Sequence, residues 1–210
     1  EVYHRVKNNL QTIDGLLVMQ SRRLADPAAK VALQGLRDRV YALGLVHHQL
    51  MGSEDLKTFD IAPFLEELST NLVQAGAEQA VTVSVRAPPL EVGLDVAMPL
   101  GLLVTELVTN CLKHAFPTGE GAIDVSLDRG VDGALILVVA DDGQGYNVGN
   151  PTFEDRGEGR PERHRAAVGS SIIEGLVAQL RGTIMVESRP GLTRSEIRLP
   201  PSATADMVAA

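Results

Sequence analysis

Tryptophan is absent and aromatic residues make up only 3% of the 210-residue chain. The core must therefore be built from leucine, valine, isoleucine and alanine, a supply that suits helices packed on an open sheet. Cysteine occurs once, as Cys111, which excludes an internal disulfide and makes a reducing, cytoplasmic compartment the expectation. Basic residues are in deficit, 19 against 27 acidic, for a formal net charge of −8. That balance argues against a nucleic-acid partner, because phosphate neutralisation needs clustered Lys and Arg. No uninterrupted apolar run approaches the roughly eighteen residues of a bilayer span, and no signal peptide is visible, so no membrane segment is expected within this chain. Helical periodicity already runs through the first residues with no cap ahead of it. That is how a fragment reads when an upstream sensor or membrane anchor has been removed.

What is present falls into two blocks. Val6, Leu10, Ile13, Leu16, Leu17 and Leu24 recur at three- and four-residue intervals, the period of an amphipathic helix. Asp26-Pro27 marks a tight turn, with Pro27 suited to open a second helix. Val31, Leu36, Val40, Leu43, Val46 and Leu50 carry that helix's stripe. Two such helices form an antiparallel hairpin whose stripe needs a partner. The partner is either a second copy, giving a four-helix bundle by homodimerisation through residues 1–52, or the rest of this chain.

Residues 51–58 read as a linker around Gly52-Ser53-Glu54-Asp55. Beyond it, residues 59–74 and 97–114 read as helices. Residues 81–86, 91–94, 122–127 and 135–140 read as extended, the last nearly all apolar and hence central in its sheet. Residues 147–166 mix Gly, Pro, acids and Arg156, Arg160, Arg163 and Arg165, which predicts a mobile loop. A helix over 169–180 and a hairpin of 183–187 with 195–199 follow, then a disordered tail. The expected domains are 1–55, the hairpin; 56–201, the mixed helix-and-strand unit; and 202–210, the tail.

Three motifs carry chemistry. His4-Arg5-Val6-Lys7-Asn8-Asn9 lies on the first helix, Glu106 to Phe116 on the long one, and Asp141-Asp142-Gly143-Gln144-Gly145 after the apolar strand. A lone histidine on an amphipathic helix is usually a surface residue, and Asp-Asp-Gly alone is an ordinary turn. Together and in this order they supply an acceptor, a metal-and-phosphate ligand set and a reader of the nucleotide edge, the parts of a phosphoryl-transfer machine. His47 and His48 have no such company.

On these motifs the chain resembles the catalytic region of bacterial sensor histidine kinases, in the subfamily whose acceptor motif reads His-Arg-x-Lys-Asn-Asn. That subfamily is close to the HWE-type kinases, and the likeness runs from His4 to about Leu199. Without any tryptophan the Trp-x-Glu element of the HWE group is missing, which places the chain beside that group. The second block resembles the ATP-binding fold shared by gyrase, Hsp90-type chaperones and histidine kinases. The implied fold class is α+β: a two-helix hairpin, four-helix if dimeric, followed by an α/β-sandwich ATPase domain.

The resemblance implies that His4 is the phospho-acceptor. A neutral imidazole, pKa about 6.5, is already nucleophilic at cytoplasmic pH and needs chiefly a group to orient it, for which Glu1 and then Glu106 are the candidates. Glu106, Asn110 and Lys113 share a helix face by their spacing. Asn110 would offer Mg²⁺ a hard oxygen ligand, and Lys113 would neutralise phosphate, with His114 beside it in the nucleotide-contacting set. Glu106 would hold a water on the metal or accept the proton from His4. The solvated face of a core helix is the plain alternative, and both hold at once on an amphipathic helix. Asp141 would accept a hydrogen bond from the adenine amino group while Gly143 and Gly145 let the backbone approach. Gly169 and Ser170 stand where relatives carry a second glycine box opening the last helix, so their N–H groups would meet phosphate; one glycine of that box is missing here. Cys111 reads as core packing.

The expected function is a two-component protein-histidine kinase that uses ATP and Mg²⁺ to phosphorylate His4 and passes the phosphoryl group to a response-regulator receiver domain. The rival is a phosphotransfer relay protein of the same architecture that does not use ATP.

Overall fold

The computed structural model describes residues 2–53, 55–75, 80–145 and 162–201, with side chains described outside 2–8, 11 and 162–170. Glu1, 146–161 with most of the expected loop, and the tail 202–210 lie outside the described residues.

Helices α1 (Val2–Arg23) and α2 (Pro27–Gly52) form the hairpin. Asp26 caps α2: its carboxylate accepts from the Ala28 N–H, and Pro27 follows in the first turn, where its missing donor costs nothing. The Arg37 guanidinium pairs with Asp14 across the hairpin at 2.9 Å. The apolar residues of the hairpin divide into a buried and an exposed set. Ala42, Leu45, Val46 and Leu50 are buried against the rest of the chain, while Ile13, Leu16, Met19 and Leu36 are 42–52% exposed.

After α2 come β1 (Thr58–Asp60), α3 (Ile61–Ala75), β2 (Ala80–Arg86), β3 (Glu91–Gly93), α4 (Leu94–His114), β4 (Glu120–Arg129), β5 (Leu135–Asp141), α5 (Glu162–Gln179), β6 (Thr183–Arg189) and β7 (Leu192–Leu199). Strands β1 and β3 pair antiparallel as a small separate ladder. The main sheet has the order β2-β4-β5-β7-β6, with β2 and β4 parallel and the other pairs antiparallel. β5 is central, as its apolar run predicts. Helices α3, α4 and α5 pack together, and the inward residues Ile123, Val125, Leu127, Leu137, Val139 and Ile197 are buried with them in one core. On β2, β4 and β7 the outward residues are mainly polar, with ion pairs such as Arg86–Asp124 and Arg194–Glu196, while central β5 turns Ile136, Val138 and Ala140 outward. An antiparallel-rich sheet covered by helices on one face accounts for this alternation.

Sequence reading and structure differ at several boundaries: Leu94, read as extended, opens α4, and the strands of the last hairpin run on to Arg189 and start back from Leu192. Phe59 belongs to β1 and not to the following helix, because strand pairing with Val92 takes it. α2 continues to Gly52, into the expected linker. α5 begins at Glu162, so 162–166 are helical and not loop; the run from Glu162 to Val168 contains neither Gly nor Pro to stop a helix. Helix α4 is long and apolar enough to cross a membrane by length and composition, but most of it is buried inside the fold. Gly101 lets α3 approach it closely: a Cβ there would sit 2.7 Å from the Phe64 ring.

Candidate active site

The C-terminal half of α4 carries the proposed ligand set. Apolar residues Leu103, Val104, Leu107 and Val108 anchor the helix in the core, which turns the opposite side toward the hairpin and solvent. Asn110 is half-buried, and Lys113 and His114 are exposed one turn further on. Glu106 is 7% exposed. Its Oε1 is 2.5 Å from Nε of Arg39, on α2. Asp38, the neighbour of Arg39, interacts electrostatically with both Lys113 and Glu106, and burial pushes its carboxyl above the ordinary range. Neither Arg39 nor Asp38 is singled out by sequence. The pairing spans 67 positions and no local spacing announces it.

Asp141 ends β5 and is buried beside α4. Its Oδ1 accepts from the Gly143 N–H at 3.1 Å, and its carboxylate is hydrogen-bonded by the Cys111 thiol. Burial raises the Asp141 carboxyl from its usual value, and these two hydrogen bonds oppose the rise. Burial, then the neighbouring Asp141 charge, pushes the Cys111 thiol up. Cys111 is therefore a protonated donor to Asp141, which adds to its packing role. The expected outcome is that Cys111 resists iodoacetamide at pH 8 in the folded chain and reacts only on denaturation, since the thiolate is the reactive species; mass spectrometry of the alkylated chain checks this.

The turn after Asp141 is fastened to the end of α4. The Gln144 amide donates to the His114 carbonyl, and the Gln144 N–H to the Ala115 carbonyl. Gly143 is required by contact, since a Cβ there would lie 2.5 Å from Ala115. Gly145 is required by conformation, with φ of +66° and the Arg189 carbonyl against it. Asp142 is structural: its carboxylate accepts the Ala122 N–H at 2.7 Å. A shallow cavity of about 420 Å³ beside this turn is lined by Ser84, Asp124, Asp141, Asp142 and Gly191, on the sheet side away from α4.

The structure thus brings Asn110, Lys113, His114, Asp141, Gly143 and Gly145 to one end of α4, with Glu106 about one turn away. It does not place Gly169 and Ser170 at a helix start. They lie about two turns inside α5, where backbone N–H groups are used within the helix, so the expected phosphate-binding helix N-terminus is not at Gly169. Helix-forming residues ahead of Gly169 move the start to Glu162. His4 lies on α1 as expected. Among the described residues no group of three His, Cys, Asp or Glu could cage a metal. The donor set therefore fits Mg²⁺ only as an ion that arrives with phosphate oxygens and takes one further oxygen, which Asn110 can supply.

Residues 1–76 match the family model described as "Histidine kinase", and residues 95–203 match "Histidine kinase-, DNA gyrase B-, and HSP90-like ATPase". The sensor histidine kinase PdtaS of Mycolicibacterium smegmatis is 34% identical over 154 residues, 71% of this chain and 30% of that protein. Blue-light-activated histidine kinase 2 of Erythrobacter litoralis is 28% identical over 217 residues, all of this chain and 58% of its own length. The chain therefore spans less than two thirds of these curated relatives. Among solved structures, the histidine kinase domain of the Erythrobacter litoralis EL346 blue-light activated histidine kinase shares the fold, with a TM-score of 0.66 at 23% identity over 91% of this chain and 96% of that one.

Proposed function

The chain belongs to the histidine kinase-, DNA gyrase B- and HSP90-like ATPases, as a histidine kinase catalytic region, and from that premise we propose that it is a protein-histidine kinase of a two-component system. It binds ATP with Mg²⁺, transfers the γ-phosphoryl group to His4, and donates it to the aspartate of a response-regulator receiver domain. The observation that carries this reading is the pairing of a histidine-kinase hairpin with an ATPase domain in one chain, with Asn110, Lys113 and Asp141 at one end of α4. A relay protein that does not use ATP has no need of that set.

In this reading Asp141 accepts a hydrogen bond from the adenine amino group, and Cys111 and the Gly143 N–H hold its carboxylate in place. Lys113 offsets triphosphate charge, and His114 lies beside it at the helix end. Mg²⁺, when bound, neutralises charge on the transferring phosphoryl group. Asn110 is its one protein ligand. Accordingly, Asn110→Ala is expected to weaken Mg–ATP binding about ten-fold or more, the scale of one lost ligand contact, and to leave metal-free ATP binding nearly unchanged. Calorimetric titration with and without Mg²⁺ checks this; coincident curves for wild type and variant would place the metal elsewhere.

The proposed domains are the hairpin, 1–55, and the ATP-binding unit, 56–201. The exposed apolar residues Ile13, Leu16, Met19 and Leu36 support a homodimer through residues 1–52, since a second hairpin would cover them.

A further inference from the structure

The hairpin meets the ATP-binding unit in a definite register: Ala42, Leu45, Val46 and Leu50 bury an apolar contact, and an ion pair beside it adds a charged one. β1 follows α2 and pairs with β3, which leads directly into α4. The start of α4 therefore lies by the end of α2, and the two helices run antiparallel. Lys113 and Glu106 accordingly fall beside Asp38 and Arg39, toward the hairpin's turn. His4 lies toward the other end. Asp14 pairs with Arg37 and Leu10 touches Gly44 across the hairpin, so His4 falls about level with residues 47–50 of α2. Arg39 is about eight to eleven residues nearer the turn, roughly 12–16 Å along the helix axis.

Resting on the kinase reading, we infer that Arg39 is a clasp: its ion pair with Glu106 holds the acceptor hairpin in a register that does not transfer, and opening it is a step toward phosphorylation of His4. The pair occupies an acceptor site on Oε1 of the carboxylate proposed to serve water or the His4 proton, so either must compete with the Arg39 guanidinium while the clasp is shut. It also fixes the nucleotide end of α4 away from the level of His4. A second hairpin lying alongside in the same direction would present its own His4 at the same level, so the offset is the same within one chain or between two. With Glu106 at 9% and Arg39 at 31% side-chain exposure, salt screens the pair only partly.

Arg39→Gln removes the charge and keeps much of the side chain. The expected result is autophosphorylation from γ-labelled ATP about five-fold faster than wild type, the shift an ion pair of this exposure can hold. Affinity for ATP should be unchanged, and Arg39→Lys should stay within about two-fold of wild type because the charge is restored. Amide exchange in residues 38–46 of α2, shielded by α4 when the clasp is shut, should quicken in the Gln variant and not in the Lys variant. A slower or unchanged rate in Arg39→Gln at unchanged ATP affinity would overturn the clasp, the slower rate making Arg39 a support for Glu106 during transfer. If no variant or wild type is labelled although ATP binds, the kinase reading fails by itself. The exchange measurement still judges the clasp, and equal exchange in all three proteins would overturn it.

Discussion

His4→Ala is expected to bring labelling from γ-labelled ATP to background while leaving the affinity for ATP unchanged. Among the five histidines, His4 alone begins the Arg-x-Lys-Asn-Asn run. His47 and His48 lie on α2 without it, and His114 lies at the nucleotide end of α4. Removing an acceptor nucleophile removes the covalent product entirely, whereas removing a binding group only weakens occupancy. The variant therefore separates acceptor from binding site in one assay. Label that persists in His4→Ala would move the acceptor to another residue.

Asp141→Ala has the second largest expected effect, in binding. A hydrogen bond to a charged group is worth about 1.5–3 kcal/mol, so the loss should weaken ATP binding roughly 10- to 100-fold. GTP, which offers a carbonyl where adenine offers an amino group, should bind wild type poorly and lose little in the variant. Acidity adds a second signature. The ionised carboxylate is the acceptor, and burial raises the Asp141 carboxyl, so protonation competes at a higher pH than for an ordinary aspartate at about 3.9. Affinity for ATP should be full above the raised pKa and fall as pH descends through it. The Ala variant should lack that component of the pH profile. Calorimetric titration across pH tests both points, and equal affinities of wild type and variant would remove Asp141 from the site.

Much of this was legible in the residues. Amphipathic period gave the hairpin and α4, the Asp26-Pro27 cap gave the start of α2, and the apolar run 135–140 gave the central strand. What escaped depended on contacts between distant segments. Phe59 enters a strand because Val92 is there to pair with it, and a three-residue ladder has no periodicity of its own. Arg39 sits in an amphipathic helix like many others until the fold sets Glu106 against it. Cys111 has the size of a packing residue, and only the approach of β5 to α4 makes it a donor to Asp141. The misplacement at Gly169 has a different origin: a glycine read as a helix boundary is tolerated inside a helix at a cost of about 1 kcal/mol, and the residues before it continue the helix to Glu162.

The most direct test is to incubate the chain with Mg²⁺ and ATP labelled in the γ position, with α-labelled ATP as a parallel control. The account predicts incorporation of γ-label and not of α-label, on a bond that survives alkali and is lost in acid, as a phosphorus–nitrogen bond to imidazole must be. ATP that binds, in the same preparation, without any label entering the protein would contradict it.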